Sequence, residues 1–172
     1  MKFGIISDTH ITSDTEKDQI AFLINQVKNA FKDVDRIIHA GDICEVFFLK
    51  ELEKLAPVSC VKGNVDNIKN LELYIKLSAG CYNIGVIHVL PEKLEDFMKE
   101  NCLHILVFGH THIPLIQGTK FNTLLLNPGS PTNPKTPPQK PGFLKPVARP
   151  TVITLNIDED DVMSTFIITL KL

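Results

Sequence analysis

The sequence predicts an α/β fold in one domain spanning residues 1–172, with a parallel βαβαβ start and a β-richer second half. Three observations carry this. The first third alternates short apolar runs with segments of helical periodicity. The second half holds several short β-branched runs separated by Gly, Pro and Asn. A chain of 172 residues suits a single core.

Residues 2–7 (K-F-G-I-I-S) read as a buried strand, and 8–15 as a polar loop. Ile20, Leu23, Ile24, Val27, Ala30 and Phe31 recur at helical spacing, so residues 16–32 predict an amphipathic helix. Ser13 and Glu16 have capping-box spacing at its start. Residues 36–39 predict the second strand. A helix follows over 45–55, with Phe48, Leu52 and Leu55 on one face, and Pro57 ends it. Residues 58–61 predict the third strand. Parallel strands joined this way need right-handed crossovers. Residues 71–77 and 82–89 then read as a strand pair around Gly80, and 91–101 as a helix with Pro91 in its first turn. Further strands are expected over 104–108, 113–116, 123–126, 151–157 and 162–170.

Net charge is −2, so no global basic field points to nucleic acid or an anionic membrane. No segment reaches the roughly 18–20 apolar residues of a membrane span, and no secretory signal opens the chain. Cys44, Cys60, Cys81 and Cys102 form no C-x-x-C pair, so buried reduced thiols and a cytoplasmic location are expected. Residues 128–150 stand apart. They hold eight of the eleven prolines, with Lys135, Lys140, Lys145 and Arg149 and no acidic residue. A Pro-rich basic surface loop of extended character is expected. Its alternative is a lid or a homo-oligomer contact.

The chemistry collects just past the strands. Asp8 and His10 follow the first, Asp42 the second, and Asn64 and Asp66 the third. His88 ends the 82–89 run, and His110 and His112 follow the 104–108 strand. In α/β sheets sites form at that edge. In extended backbone, residues i and i+2 point to one side, so Asp8 with His10, and His110 with His112, can converge. Gly41, Gly63 and Gly109 adjoin these residues and allow sharp turns. Mixed oxygen and imidazole donors without thiolate suit Mn²⁺, Fe, Ni²⁺, Co²⁺ or Zn²⁺. Leaving Asp66 aside, the two aspartates, one asparagine and four histidines make seven ligands, more than one ion takes with a water position left open. A carboxylate shared by two ions about 3.5–4 Å apart resolves the count, and such pairs serve phosphoryl transfer.

In this order, D-x-H (Asp8, His10), G-D (Asp42), G-N-x-D (Asn64, Asp66), His88 and G-H-x-H (His110, His112) resemble the calcineurin-like metallophosphoesterases. The short length and N-P-G-S at 127–130 resemble the small YfcE/MJ0936-type phosphodiesterase branch. The resemblance implies a four-layer α-β-β-α sandwich of two mixed sheets flanked by helices. It also implies two divalent metal ions, Mn²⁺ foremost. Asp8, His10 and His112 would hold one ion, Asn64, His88 and His110 the second, and Asp42 would bridge. Catalytic roles fall on Asp42 and Asn64, and a hydroxide between the ions would attack phosphorus in line. The implied function is a metal-dependent phosphodiesterase acting on small phosphoester substrates or nucleotides. Val65 replaces the usual catalytic histidine of G-N-H-D, whose general-acid help is typically worth about 10²–10⁴-fold. Val89 stands where the family usually has glycine.

Two other functions are carried alongside: a non-catalytic Vps29-like scaffold of the same fold, and a metal-dependent nuclease. Full occupancy of the seven ligand positions favours the enzyme, and the near-neutral chain disfavours the nuclease. His39 and Asp66 are expected behind the ligands, supporting them or serving only the fold. Asn127, Gly129 and Ser130 are either a turn or a substrate contact near the metals. His104 is expected to be structural. Phe47 and Leu49, off the main apolar face of their helix, are expected to pack under the second half of the domain, with an exposed apolar patch for a partner as the alternative.

Overall fold

A computed structural model describes residues 1–171. The elements run β1 (Lys2–Ile6), α1 (Lys17–Ala30), β2 (Arg36–His39), α2 (Val46–Glu53), β3 (Val58–Cys60), β4 (Tyr74–Ala79), β5 (Tyr82–Ile87), α3 (Leu94–Glu100), β6 (Ile105–Val107), β7 (Pro114–Gly118), β8 (Leu124–Pro128), β9 (Thr151–Ile157) and β10 (Met163–Thr169). They form two five-stranded mixed sheets, ordered β10-β9-β1-β2-β3 and β4-β5-β6-β8-β7. In the first, β1, β2 and β3 are parallel, β9 runs antiparallel to β1, and β10 runs antiparallel to β9. In the second, β5, β6 and β8 are parallel, with β4 and β7 antiparallel at the edges.

The sheets pack face to face, and helices cover both outer faces. Phe3, Ile5 and Ile38 of the first sheet meet Ile84, Val86, Ile105, Val107 and Leu126 of the second. On the outside of the first sheet, Ile6 and Ile37 pack with Leu23 and Val27 of α1 and Phe48 and Leu52 of α2. Outside the second, Leu106 and Leu125 pack with Met98 of α3. This is the expected four-layer sandwich. It also explains the near-continuous apolar runs of β1 and β6. Alternate side chains enter different cores, and both faces are buried.

The layout puts five loops at one end, after the carboxyl ends of β1, β2, β3, β5 and β6. The chain after β8 returns to the same end, and its 129–150 stretch has no helix or strand. Phe143, Leu144 and Val147 there are 71%, 94% and 72% exposed, as an extended surface loop requires.

Several local expectations are corrected. The Ser13–Glu16 capping box does not form. Glu16 is the N-cap of α1 without a side-chain cap bond, because residues 12–15 close a turn of their own, Thr12 N–H donating to Thr15 Oγ1 at 3.0 Å. Pro91 lies ahead of α3, which starts at Leu94 after a turn at 92–93. The fourth strand starts at Tyr74, not Leu71, because residues 71–73 cross between the sheets. There Glu72 bridges to Val61, and its carbonyl accepts from Lys62 N–H. Phe47 is not packed by the second half. It lines a groove of about 590 Å³ with Ile20, Ala21 and Ile24 of α1, whereas Leu49 packs into the helix-side core. All four cysteines are free thiols, but Cys81 and Cys102 are exposed; only Cys44 and Cys60 are partly buried. Burial pushes the Cys44 thiol up to about 11 and the Cys60 thiol to about 12, so both stay protonated at neutral pH. No helix among the described residues is long and apolar enough to cross a membrane.

Candidate metal centre

Asp8, Asp42, His88 and His112 are buried at the shared loop end, His10 is half-buried, and Asn64 and His110 are exposed. Metal-ligating atoms gather in two groups. In Asp8, His10 and His112, one ligand atom from each lies within 4.8 Å of the others, and the same holds for Asp8, Asp42 and His88. Asp8 is common to both. Asp42 Oδ2 lies 3.3 Å from His88 Nε2 and 3.7 Å from His10 Nε2, so it too reaches both sides. The G-H-T-H histidines diverge: His112 faces His10, with ring centroids 5.0 Å apart, and His110 faces His88 at 5.4 Å.

The convergence arises differently from the extended geometry expected. Asp8, His10, His110 and His112 all have positive φ, between 45° and 68°, and Asp42 has φ 57°. Asp, Asn and His tolerate this left-handed region better than most residues, yet each instance costs of order 1–3 kcal/mol. Backbone contacts hold these turns in place. His110 N–H donates to both Asp8 carboxylate oxygens at 3.0 and 3.1 Å, and Asp8 N–H donates to the Gly41 carbonyl at 3.0 Å. Val65 N–H donates to Asp42 Oδ1 at 3.0 Å, leaving Oδ2 turned to the imidazoles. Side-chain-free positions make this closeness feasible. A Cβ at Gly63 would collide with Asp42, and one at Gly109 with Ser7 Oγ and Asp8 Oδ2.

The histidine tautomers are fixed by their partners. A carbonyl only accepts, so His88 Nδ1 donates to Ala40 O and His112 Nδ1 donates to Asn133 O, each at 2.7 Å. In the neutral rings both Nε2 atoms therefore carry lone pairs. Those lone pairs face carboxylates, His88 Nε2 toward Asp42 Oδ2 and His112 Nε2 toward Asp8 Oδ1 at 3.4 Å. His88 Nε2 is buried without a hydrogen-bond partner. His10 Nε2 lies 3.2 Å from His112 Nε2 and donates to it in the tautomer that carries the proton there. Acceptor atoms crowded together in a buried place need a cation between them. Burial also pushes the Asp8 carboxyl above the ordinary carboxylate range, although the Ser7 hydroxyl bond and the His88 and His112 rings pull it down. A divalent ion beside it would favour the carboxylate, so the residues present fit bound metal.

The surrounding polar groups hold the loops. Asp66 is buried, and its carboxylate accepts from Asp42 N–H (2.9 Å), Gly63 N–H (2.7 Å) and Cys44 N–H (2.7 Å), tying the second and third loops together. His39 is fully buried and pairs with Thr9 Oγ1 at 3.1 Å rather than with the Asp42 carboxylate. Burial lowers its pKa to about 4, so it stays neutral at pH 7. Asn127 and Ser130 are wholly buried, and their side chains are spent within the protein, on backbone and, for Asn127, also on Thr111 Oγ1 at 3.0 Å. Asn127 Nδ2 donates to Gly109 O, and Ser130 Oγ donates to Asp8 O. Gly129 N–H donates to Asn127 Oδ1. His104 accepts from Asn83 N–H at the far end of β6. Sequence reasoning missed Ser7, Thr132 and Asn133. Ser7 binds Asp8, Thr132 Oγ1 donates to Thr9 O at 2.9 Å, and the Asn133 carbonyl orients His112. The one signal for the latter pair was a polar T-N step directly after N-P-G-S-P.

Residues 1–154 match the calcineurin-like phosphoesterase superfamily domain. The chain belongs to that superfamily. It is 37% identical over 166 residues to a probable metallophosphoesterase of Methanothermobacter thermautotrophicus, covering 92% of this chain and 87% of the relative. It is 42% identical over 144 residues to the probable metallophosphoesterase MJ0623 of Methanocaldococcus jannaschii, covering 80% and 71%. Among solved structures, a single-mutant form of Vps29 from Entamoeba histolytica superposes with TM-score 0.71 at 23% identity, over 98% of this chain and 99% of that one. A novel archaeal phosphodiesterase superposes with TM-score 0.70 at 24% identity, over 98% and 100%. These structural likenesses establish the fold, and the superfamily is one of metal-dependent phosphoester hydrolases.

Proposed function

We propose that the chain is a phosphodiesterase with two divalent ions, Mn²⁺ foremost, that hydrolyses small phosphodiesters or nucleotides by in-line attack. One observation carries the reading: inward-facing Nε2 lone pairs of His88 and His112 stand against the Asp42 and Asp8 carboxylates, with two buried carboxylates reaching both groups. Asp8, His10 and His112 would hold one ion, and Asp42 and His88, with the exposed Asn64 and His110 beside them, would hold the other; Asp42 also reaches His10, as Asp8 reaches both groups. When bound, the ions supply a nucleophilic water at neutral pH and offset charge on the phosphorus oxygens.

The chain's own residues do the rest. Asp8 and Asp42 are held by the His110 and Val65 amides, so they need no reorganisation when charge develops. Ser130, Asn127 and Thr132 brace the ligand loops, which their burial suits better than contact with substrate. Val65 is 54% exposed beside the centre and offers no proton to the departing oxygen. Substrates whose leaving group is already a weak base are therefore favoured. The likeness to a phosphodiesterase in fold supports the same choice.

Turnover of bis-p-nitrophenyl phosphate on addition of Mn²⁺ or Ni²⁺ tests this. No turnover with any divalent ion, together with no metal retained on purification, overturns it. That outcome would favour the second reading, a Vps29-like scaffold, for which the half-exposed Phe47 in the α1–α2 groove would be the contact surface.

A further inference from the structure

Two clefts of unequal size and character flank the metal centre. The one on the His10 side is about 380 Å³, and its walls include His10, Ile11, Gln19, Phe22, Leu23 and Pro131. The one on the His88 side is about 190 Å³, lined by Lys62, Gly63, Asn64, Leu73, Ile87, His88 and Val89. Small-molecule sites usually measure about 300–1,000 Å³ and combine apolar walls with a few polar groups. Only the larger cleft meets that description.

We propose that the His10-side cleft seats an uncharged, flat aromatic substituent of the substrate, a nucleobase, while the second ester group lies on the small His88 side. The inference rests on the phosphodiesterase reading above. Its evidence is the wall chemistry. Phe22 of α1 is 48% exposed, and it lies in the cleft that His10 closes at the metal end. Leu23, Ile11 and Pro131 supply an apolar floor, being buried beneath it. Among the described residues, no Asp, Glu, Lys or Arg lines the cleft, so a charged group would lose hydration there without a partner. Gln19, near Phe22 on α1, carries an exposed amide whose nitrogen donates a long 3.5 Å bond to Glu16, leaving its carbonyl oxygen to accept from the edge of a base. Thr15 adds a hydroxyl at the same rim.

The opposite cleft argues for the same orientation. It is half the volume and carries a lysine, with the exposed side chains of Val89 and Leu73 narrowing it. A small ester group fits beside Lys62, but a base does not. The diester is therefore read asymmetrically, with the nucleoside part toward His10 and α1.

Phe22→Ala is the test, because the ring is half exposed and its loss leaves the core intact. Calorimetric binding of thymidine 5′-monophosphate and methyl phosphate to the Mn²⁺-loaded protein compares a ligand with a base and one without. Base–aromatic stacking gives roughly 5- to 150-fold per base on alanine substitution. Thymidine 5′-monophosphate should therefore weaken by that factor in Phe22→Ala, while methyl phosphate binding stays unchanged. Equal weakening of both ligands, or no weakening of either, overturns the cleft assignment even if bis-p-nitrophenyl phosphate is still turned over. Loss of that turnover in the wild-type protein overturns the underlying phosphodiesterase reading instead.

Discussion

Asp42→Asn separates a metal-binding role for this residue from a structural one. The change is isosteric. The amide oxygen can keep the bond from Val65 N–H, now 3.0 Å from Oδ1. The amide nitrogen then replaces Oδ2, 3.3 Å from the lone pair of His88 Nε2. An acceptor–acceptor clash becomes a donor–acceptor pair, and the buried orphan at His88 gains a partner. A new hydrogen bond is worth about 1 kcal/mol, so the metal-free variant should melt about 2–4 °C above the metal-free wild type. Metal reverses the order. An ion at 100 times its Kd stabilises the wild type by about 2.7 kcal/mol, or roughly 5–10 °C for a chain of this size. The variant lacks one of the two carboxylates that reach both groups and should lose most of that increment. Its turnover should fall by roughly 10²–10³-fold, the cost typical of removing one preorganised electrostatic group. Thermal melts with and without Mn²⁺, beside bis-p-nitrophenyl phosphate kinetics, read all three effects. A variant that keeps the full metal-induced shift, or stays active, would refute the placement of Asp42 between the ions.

Two further outcomes follow from the supporting shell. Asp66→Ala strips three backbone N–H groups of their common acceptor, and charged hydrogen bonds are worth about 1.5–3 kcal/mol each before water repairs any. Denaturant melts should show a loss of about 3 kcal/mol or more together with weaker metal binding; an unchanged midpoint would show that the carboxylate is dispensable. His39, held at about 4 against an ordinary 6.5, binds its proton more tightly in the unfolded chain. Its contribution is therefore intact above pH 6.5 and is lost as pH falls from 6.5 toward 4, by roughly 3 kcal/mol at about 1.4 kcal/mol per pH unit. His39→Gln should flatten this part of a stability–pH curve measured without metal, and an equally steep curve in the variant would contradict that.

Much of the candidate site was legible because its candidate ligands sit at fixed offsets past apolar runs. Ile5-Ile6, Ile37-Ile38 and Ile105–Val107 mark β1, β2 and β6 unmistakably, since both faces of these strands are buried. The loops after them then had to hold Asp8, Asp42 and His110 at one end of the sandwich. What stayed hidden is set by tertiary contacts. Alternation along an extended chain suggested that Asp8 and His10 point together, but left-handed turns at φ 53° and 45° achieve it. Nothing local announces those turns, which depend on the 41–42 and 109–110 segments across the cleft. Likewise, the return of residues 127–133 to brace the metal loops joins positions more than 100 apart. The surface was the least legible part. Exposure of Cys81, Cys102 and Phe47 is decided by neighbours distant in sequence. Ser13 and Glu16 had the right spacing for a capping box, but the competing Thr12–Thr15 turn took that segment.

The stoichiometry of metal against turnover tests the central claim most directly. Metal-free protein titrated with Mn²⁺ should bind two ions per chain, and hydrolysis of bis-p-nitrophenyl phosphate should rise only as the second is taken up. Full turnover at one ion per chain, or two bound ions without turnover of any phosphodiester, would contradict it.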